Sequence, residues 1–133
     1  MQLPFPGVRF DLIYSYSVFT HLSENTCKAV LGAFRSRLRD RGTAVVTVRP
    51  AAYWDAHSQD QNPVDVTRMK AQHATRGFAF TPHNRAPVNG EIRYGDTSIS
   101  LEYMNAAWPE WEVAGTANLS TDPNQVVVFL RPR

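Results

Sequence analysis

Apolar residues crowd one stretch of this chain, residues 10–22 (FDLIYSYSVFTHL), which ends in small polar residues and a histidine. Apolar positions on both alternating faces predict a strand over Phe10–Ser15 buried on two sides, as in the middle of a parallel sheet. The period then changes. Ser23 is placed to cap a helix, and Cys27, Val30, Leu31, Phe34 and Leu38 recur at helical spacing, giving one apolar stripe to lie on the sheet. Arg37, Arg39 and Arg41 suit the negative carboxyl end of that helix, and Gly42 is predicted to take its left-handed cap. Residues 43–48 are again apolar and rich in β-formers. This order is a βαβ unit with a right-handed crossover, and open parallel sheets bind ligands beyond the carboxyl ends of their strands. The rule directs attention to Ser15 and the residues up to His21, and to Arg49 and the residues up to Trp54.

Beyond residue 50 the pattern loosens. Tyr53, Trp54 and His57 precede a break at Asn62-Pro63, and Asp65 is placed to cap a short helix that runs to Arg76 and stops at Gly77. Val66, Met69 and His73 share its inner face. Residues 78–80 and 92–94 are short β-type runs joined by TPHNRAPVNGE, whose prolines and Asn89-Gly90 read as a hairpin connection. Residues 50–95 are expected to form an inserted, lid-like region on the carboxyl side of the strands. Asp96 then leads towards a short helix over residues 100–108, with capping as its expected job. Residues 111–117 and 125–131 are two further strands, joined by a turn containing Asp122-Pro123-Asn124, and so short a connection makes them antiparallel.

The residues LPFPGVRFDLIYSYSVFTHLSENTCKAVLGAFRSRLRDRGTAVVTV resemble the middle of class I S-adenosylmethionine-dependent methyltransferases, where a Leu-Pro-Phe-containing loop leads into the fourth strand, a helix and the fifth strand. The resemblance continues to the end of the sequence. It implies an α/β fold: a partial Rossmann-like sheet of the family's fourth to seventh strands, the last one antiparallel between the fifth and sixth, with an inserted helix and hairpin. Residues 1–133 would form a single domain equivalent to the C-terminal half of such an enzyme, with S-adenosylmethionine as cofactor and an unidentified methyl acceptor.

By position, the resemblance sets Ser15, Tyr16, Ser17, Phe19 and His21 along the cofactor. Ser17 or Tyr16 would bond its methionine part and Phe19 would pack on it. The alternative is that Val18, Phe19 and Leu22 are core and that residues 20–23 merely start a helix. His21 is the candidate general base, because an imidazole exchanges protons near neutrality; its other role would be a bond to backbone at a helix start. Arg49, Tyr53, Trp54 and His57 are candidates for the acceptor side, or for packing beneath a lid.

Other motifs of the resembled family have no candidates: neither the Gly-rich turn after its first strand nor the acids that touch ribose and adenine. Gly77, Gly90 and Gly95 stand alone in turn-like settings. There is no P-loop, no G-x-S-x-G elbow and no His-Glu-x-x-His pair. The sequence therefore reads as one that starts internally. Cutting the family's sheet beside its fourth strand would leave residues 10–15 as an apolar edge, so self-association or pairing with an N-terminal half is expected. The rival reading is a noncatalytic fragment or interaction module that pairs through that edge.

Composition narrows the partners. With 133 residues, 43% hydrophobic and 20% charged, the chain suits one globular domain. Net charge is +2, and the arginines are dispersed, so no nucleic-acid surface is expected. A single cysteine excludes an internal disulfide framework and a multi-cysteine zinc site, and Cys27 on its apolar stripe reads as a small buried hydrophobe. The spacing of Asp55, His57, Asp60 and His73 fits no metal-ligand pattern. No signal-peptide pattern and no membrane-length apolar run is present, which makes a cytoplasmic protein the expectation.

Overall fold

The βαβ unit read from the sequence is present as β1 (Phe10–Ser15), α1 (Glu24–Arg37) and β2 (Leu38–Val48), with β1 and β2 parallel. The structure, a computed structural model, describes residues 4–57 and 65–133. After β2 come α2 (Tyr53–His57), α3 (Val66–Arg76), β3 (Phe78–Pro82), β4 (Gly95–Ile99), α4 (Leu101–Ala107), β5 (Trp111–Leu119) and β6 (Asp122–Pro132). The main sheet has the order β1-β2-β6-β5, with β6 antiparallel to both neighbours, and β3 and β4 form a separate two-stranded sheet. The expected mixed sheet is thus seen.

One face of the main sheet carries the core. Ala44, Val46 and Val48 of β2 and Val128 and Leu130 of β6 are buried under Cys27 and Leu31 of α1 and Met104 of α4, with Phe19, Trp108 and Trp111 in the same cluster. The two-sided burial expected of β1 is not found. Leu12 is 59% exposed and Tyr14 65%, because no element among the described residues lies over their face, while Ile13 packs on the core side.

The end of α1 also differs. The helix stops at Arg37, and the Leu38 N–H bonds the Phe34 carbonyl, so no left-handed glycine cap is used. Gly42 instead lies within β2, where a Cβ would sit 2.7 Å from Leu38 Cγ; its bareness makes room for the wholly buried Leu38. Arg39 is consequently a strand residue and pairs with Asp11 of β1 at 3.0 Å. Ser23 occupies the cap position of α1, but its hydroxyl meets Thr26 Oγ1 at 2.9 Å rather than a backbone N–H.

The inserted region follows the expectation at its helix. Asp65 accepts from the Arg68 N–H, and Gly77, with φ of 72°, closes α3. Tyr53, Trp54, Met69 and Ala79 make a second small core there. Asn89 and Gly90, both with positive φ, form the tight turn between the bridged Val88 and Glu91. The second strand of the hairpin, however, is Gly95–Ile99 rather than residues 92–94. Its sequence GDTSI has one large apolar residue yet is buried throughout, because its polar side chains find partners inside the protein. Asp96 therefore lies in β4, and Ser100 caps α4 by accepting from the Tyr103 N–H. At the other end, the turn between β5 and β6 is at residues 120–121, and Asp122-Pro123-Asn124 already belongs to β6.

Candidate functional site

Asp96 gathers side chains from three separate segments. Arg49, just past β2, donates through Nη1 to Asp96 Oδ1 at 2.8 Å, and the Tyr53 hydroxyl of α2 donates to the same oxygen at 3.0 Å. His83, just past β3, meets Asp96 Oδ2 through Nε2 at 2.6 Å. An ionised carboxylate can only accept, so His83 carries its proton on Nε2 in this bond. Its Nδ1 has no hydrogen-bond partner among the described residues, and the side chain is 29% exposed. Burial works against ionising Asp96, but the bonds from His83, Arg49 and Tyr53 together outweigh it and hold the carboxyl below its ordinary range.

His21 sits on the other side of this centre, at the end of the single 3-10 turn after β1. Its Nδ1 lies 2.8 Å from the Gly95 carbonyl, which can only accept, so Nδ1 bears the proton and Nε2 faces Arg49 Nη2 at 3.4 Å. The ring stacks on Tyr94 at 5.0 Å, and Tyr94 in turn meets the edge of His83 at 5.2 Å. Burial lowers the His21 pKa; the Gly95 bond and Asp96 oppose this, while Arg49 and His83 add to it. The imidazole is thus neutral at physiological pH. Arg49 is fixed further by donating to the Thr20 carbonyl at 2.9 Å and by lying over the Tyr53 ring at 4.0 Å.

Of the residues singled out in the sequence, His21, Arg49 and Tyr53 come together here. Trp54 does not reach the centre: wholly buried, it donates its indole N–H to Ser98 Oγ at 2.8 Å, and Ser98 also meets His73 Nδ1 at 2.8 Å. His57 ends α2, and its side chain lies outside the described part of the structure. Phe19 is wholly buried against Phe34 and Trp108, which makes it core rather than a surface for a cofactor. His83 and Asp96 were missed as site residues. The signal lay in the hairpin: pairing residues 78–82 back onto residues 95–99 brings both to one end of the short sheet.

The turn after β1 is held unusually. Ser17 has φ of 55°, left-handed for a residue with a side chain, and its N–H donates to Thr47 Oγ1 at 2.8 Å while Gln125 Nε2 donates to its hydroxyl at 3.1 Å. Beside it, the buried Ser15 Oγ and Gln125 Oε1 have no hydrogen-bond partner among the described residues. Tyr16 is 45% exposed.

No family model and no curated protein matches the sequence. Solved structures do. MtfA, a glycopeptide N-methyltransferase bound to S-adenosylmethionine, aligns with a TM-score of 0.57 at 9% identity over 97% of this chain and 60% of MtfA. DhpI, in its SAM–HEP complex, aligns with a TM-score of 0.53 at 13% identity over 96% of this chain and 52% of DhpI. The chain has a class I methyltransferase-like fold. It spans little more than half the length of these two proteins.

Within a methyltransferase-like fold, the residues present suit one end of S-adenosylmethionine. The Ser15 hydroxyl and the Gln125 amide oxygen, buried and without a hydrogen-bond partner among the described residues, lie beside a strained turn at the carboxyl end of β1. The rest of the cofactor finds no Gly-rich turn and no acidic residue placed for its ribose in this sequence. No helix among the described residues is long and apolar enough to cross a membrane.

Proposed function

We propose that this chain forms the acceptor side of an S-adenosylmethionine-dependent methyltransferase and binds the cofactor's methionine end at Ser15, Tyr16, Ser17 and Gln125. MtfA has been crystallised with S-adenosylmethionine, S-adenosylhomocysteine and sinefungin, and DhpI with the first two, which supports the cofactor. When bound, S-adenosylmethionine supplies an electrophilic methyl group. The protein's own work is then to position the acceptor and take its proton.

One observation carries the reading: the buried Asp96 carboxylate, fixed by Arg49 and Tyr53, holds His83 by Nε2 and leaves Nδ1 as the open base. A carboxylate behind an imidazole sets its tautomer and steadies the imidazolium formed when it takes a proton. His21, with Nδ1 bound to backbone and Nε2 facing a guanidinium, is better suited to line the acceptor pocket as a neutral ring. In this reading the inserted region supplies one wall of the site through Tyr53 and His83, and the protein acts in the cytoplasm. The alternative, a noncatalytic module that pairs through the β1 edge, is favoured by the outer edge of β1, which pairs with no strand among the described residues.

Titration of S-adenosylhomocysteine into the purified chain, followed by calorimetry and by NMR of residues 15–21, separates the two readings. Saturable shifts confined to this turn support the cofactor site. No heat and no shift at millimolar ligand would leave the interaction module. For the base, His83→Asn is expected to keep cofactor binding and lose methyl transfer in whatever assembly shows it.

A further inference from the structure

The connection between β3 and β4, residues 83–94, is tied at both ends. At its base the His83 N–H donates to the Tyr94 carbonyl at 3.1 Å, and at its tip Val88 and Glu91 exchange backbone bonds around Asn89-Gly90. Pro87 fixes a further backbone angle between these ties. Arg85, two residues past His83, is carried back over the Tyr94 ring, with its guanidinium carbon 4.2 Å from the ring centre. The same ring meets His83 at 5.2 Å and stacks on His21 at 5.0 Å. Tyr94 therefore sets a guanidinium and the proposed base around one rigid platform.

We infer that Arg85 grips a carboxylate on the methyl acceptor, which makes the acceptor a small amino or hydroxy acid whose nucleophilic atom faces His83 Nδ1. The second half of this inference rests on the functional reading above; the first rests on the Arg85–Tyr94–His83 geometry alone. A guanidinium held over an aromatic ring is steadied without an anion, and its planar fork of N–H donors remains suited to bidentate binding of a carboxylate. No carboxylate among the described residues pairs with it.

Charge decides which anion fits. Arg49 is neutralised by Asp96 at 2.8 Å, so among the described residues of this cluster Arg85 is the cation without a counter-charge. One such cation matches a monoanion. A phosphate dianion would bring surplus negative charge towards Asp96.

NMR titration of the purified chain tests the inference, with β-alanine as the probe and propylamine and inorganic phosphate beside it. Expected are saturable shifts of the Arg85 side-chain N–H and the His83 ring with β-alanine, and at least tenfold weaker binding of propylamine and of phosphate. Arg85 is exposed, so Arg85→Gln should fold; it should weaken β-alanine about tenfold or more, with Arg85→Lys falling between. Shifts of residues 15–21 with S-adenosylhomocysteine should be the same in both variants. Equal binding of propylamine and β-alanine, β-alanine binding unchanged in Arg85→Gln, or no binding of β-alanine would each overturn the inference. These outcomes are separate from the fate of the methyl-transfer reading: β-alanine held by Arg85 in a chain that ignores S-adenosylhomocysteine would keep the carboxylate site and sink that reading.

Discussion

Arg49 and Asp96 stand 47 positions apart in the chain and meet at 2.8 Å, with side chains only 12% and 6% exposed. The pair ties the carboxyl end of β2 to the second strand of the inserted hairpin. Removing one member of a buried ion pair strands the other charge, at a cost of about 3–5 kcal/mol. Asp96→Asn and Arg49→Met should each lower unfolding free energy by that order. The double variant should lose clearly less than the two losses added, as read from urea unfolding. Strict additivity would show that the two side chains are not coupled.

Acid should weaken the fold in two stages. Burial holds His21 and His73 below the ordinary histidine value of 6.5, so below that pH the unfolded chain binds protons that the folded one refuses. Their contribution is complete above about pH 6.5 and is lost as the pH falls. Asp96, held below its ordinary 3.8, adds stability that is present above that value and disappears under it. The urea midpoint should be flat between about pH 7 and 8, decline from about pH 6.5 and drop again below pH 4. In the double variant His21→Asn, His73→Gln the first decline should flatten.

Cys27 is 1% exposed, and burial pushes its thiol up to about 12. Thiolate is the reactive form, so iodoacetamide should modify this cysteine no faster than the protein unfolds. Rapid labelling of the folded chain would contradict its place under α1.

Two glycines should respond oppositely to alanine. Gly32 lies in α1 with open space where a Cβ would go, and Gly32→Ala should stabilise by about 0.5–1 kcal/mol. Gly77, with φ of 72°, would place a Cβ 2.6 Å from Ser100 Oγ and 2.7 Å from Tyr103 Cβ. Gly77→Ala should destabilise by more than about 1 kcal/mol, and thermal melts of the two variants will show the sign of each.

What was legible in the sequence followed from periodicity and caps. The stripe Cys27, Leu31 and Phe34 gave α1, Asp65 and Gly77 bracketed α3, and short connections made β5 and β6 antiparallel. The misses share a cause: each depends on partners distant in the chain. Whether Leu12 and Tyr14 are covered is decided by what lies over the sheet, not by the strand's own pattern. β4 reads as a polar loop because the groups that satisfy it, Trp54, His73, Arg49 and the Leu22 carbonyl, come from elsewhere. Asp96 looked like a cap for the same reason. His21, Arg49 and Tyr53 were found because one positional rule, the carboxyl ends of parallel strands, holds without knowing the contacts.

The place of β6 between β2 and β5 has a consequence for how the chain comes into being. On the ribosome, β1, α1 and β2 emerge before the rest of this sheet, and the strand that joins β2 to β5 follows only after the insertion, α4 and β5 have been made. Until then the inner edge of β2 has no neighbour, and two halves of one sheet wait for a third piece. Nascent chains of this protein should therefore depend on chaperones that shield strand edges, and stalling translation before residue 122 should yield a species that sticks to itself rather than a smaller folded unit.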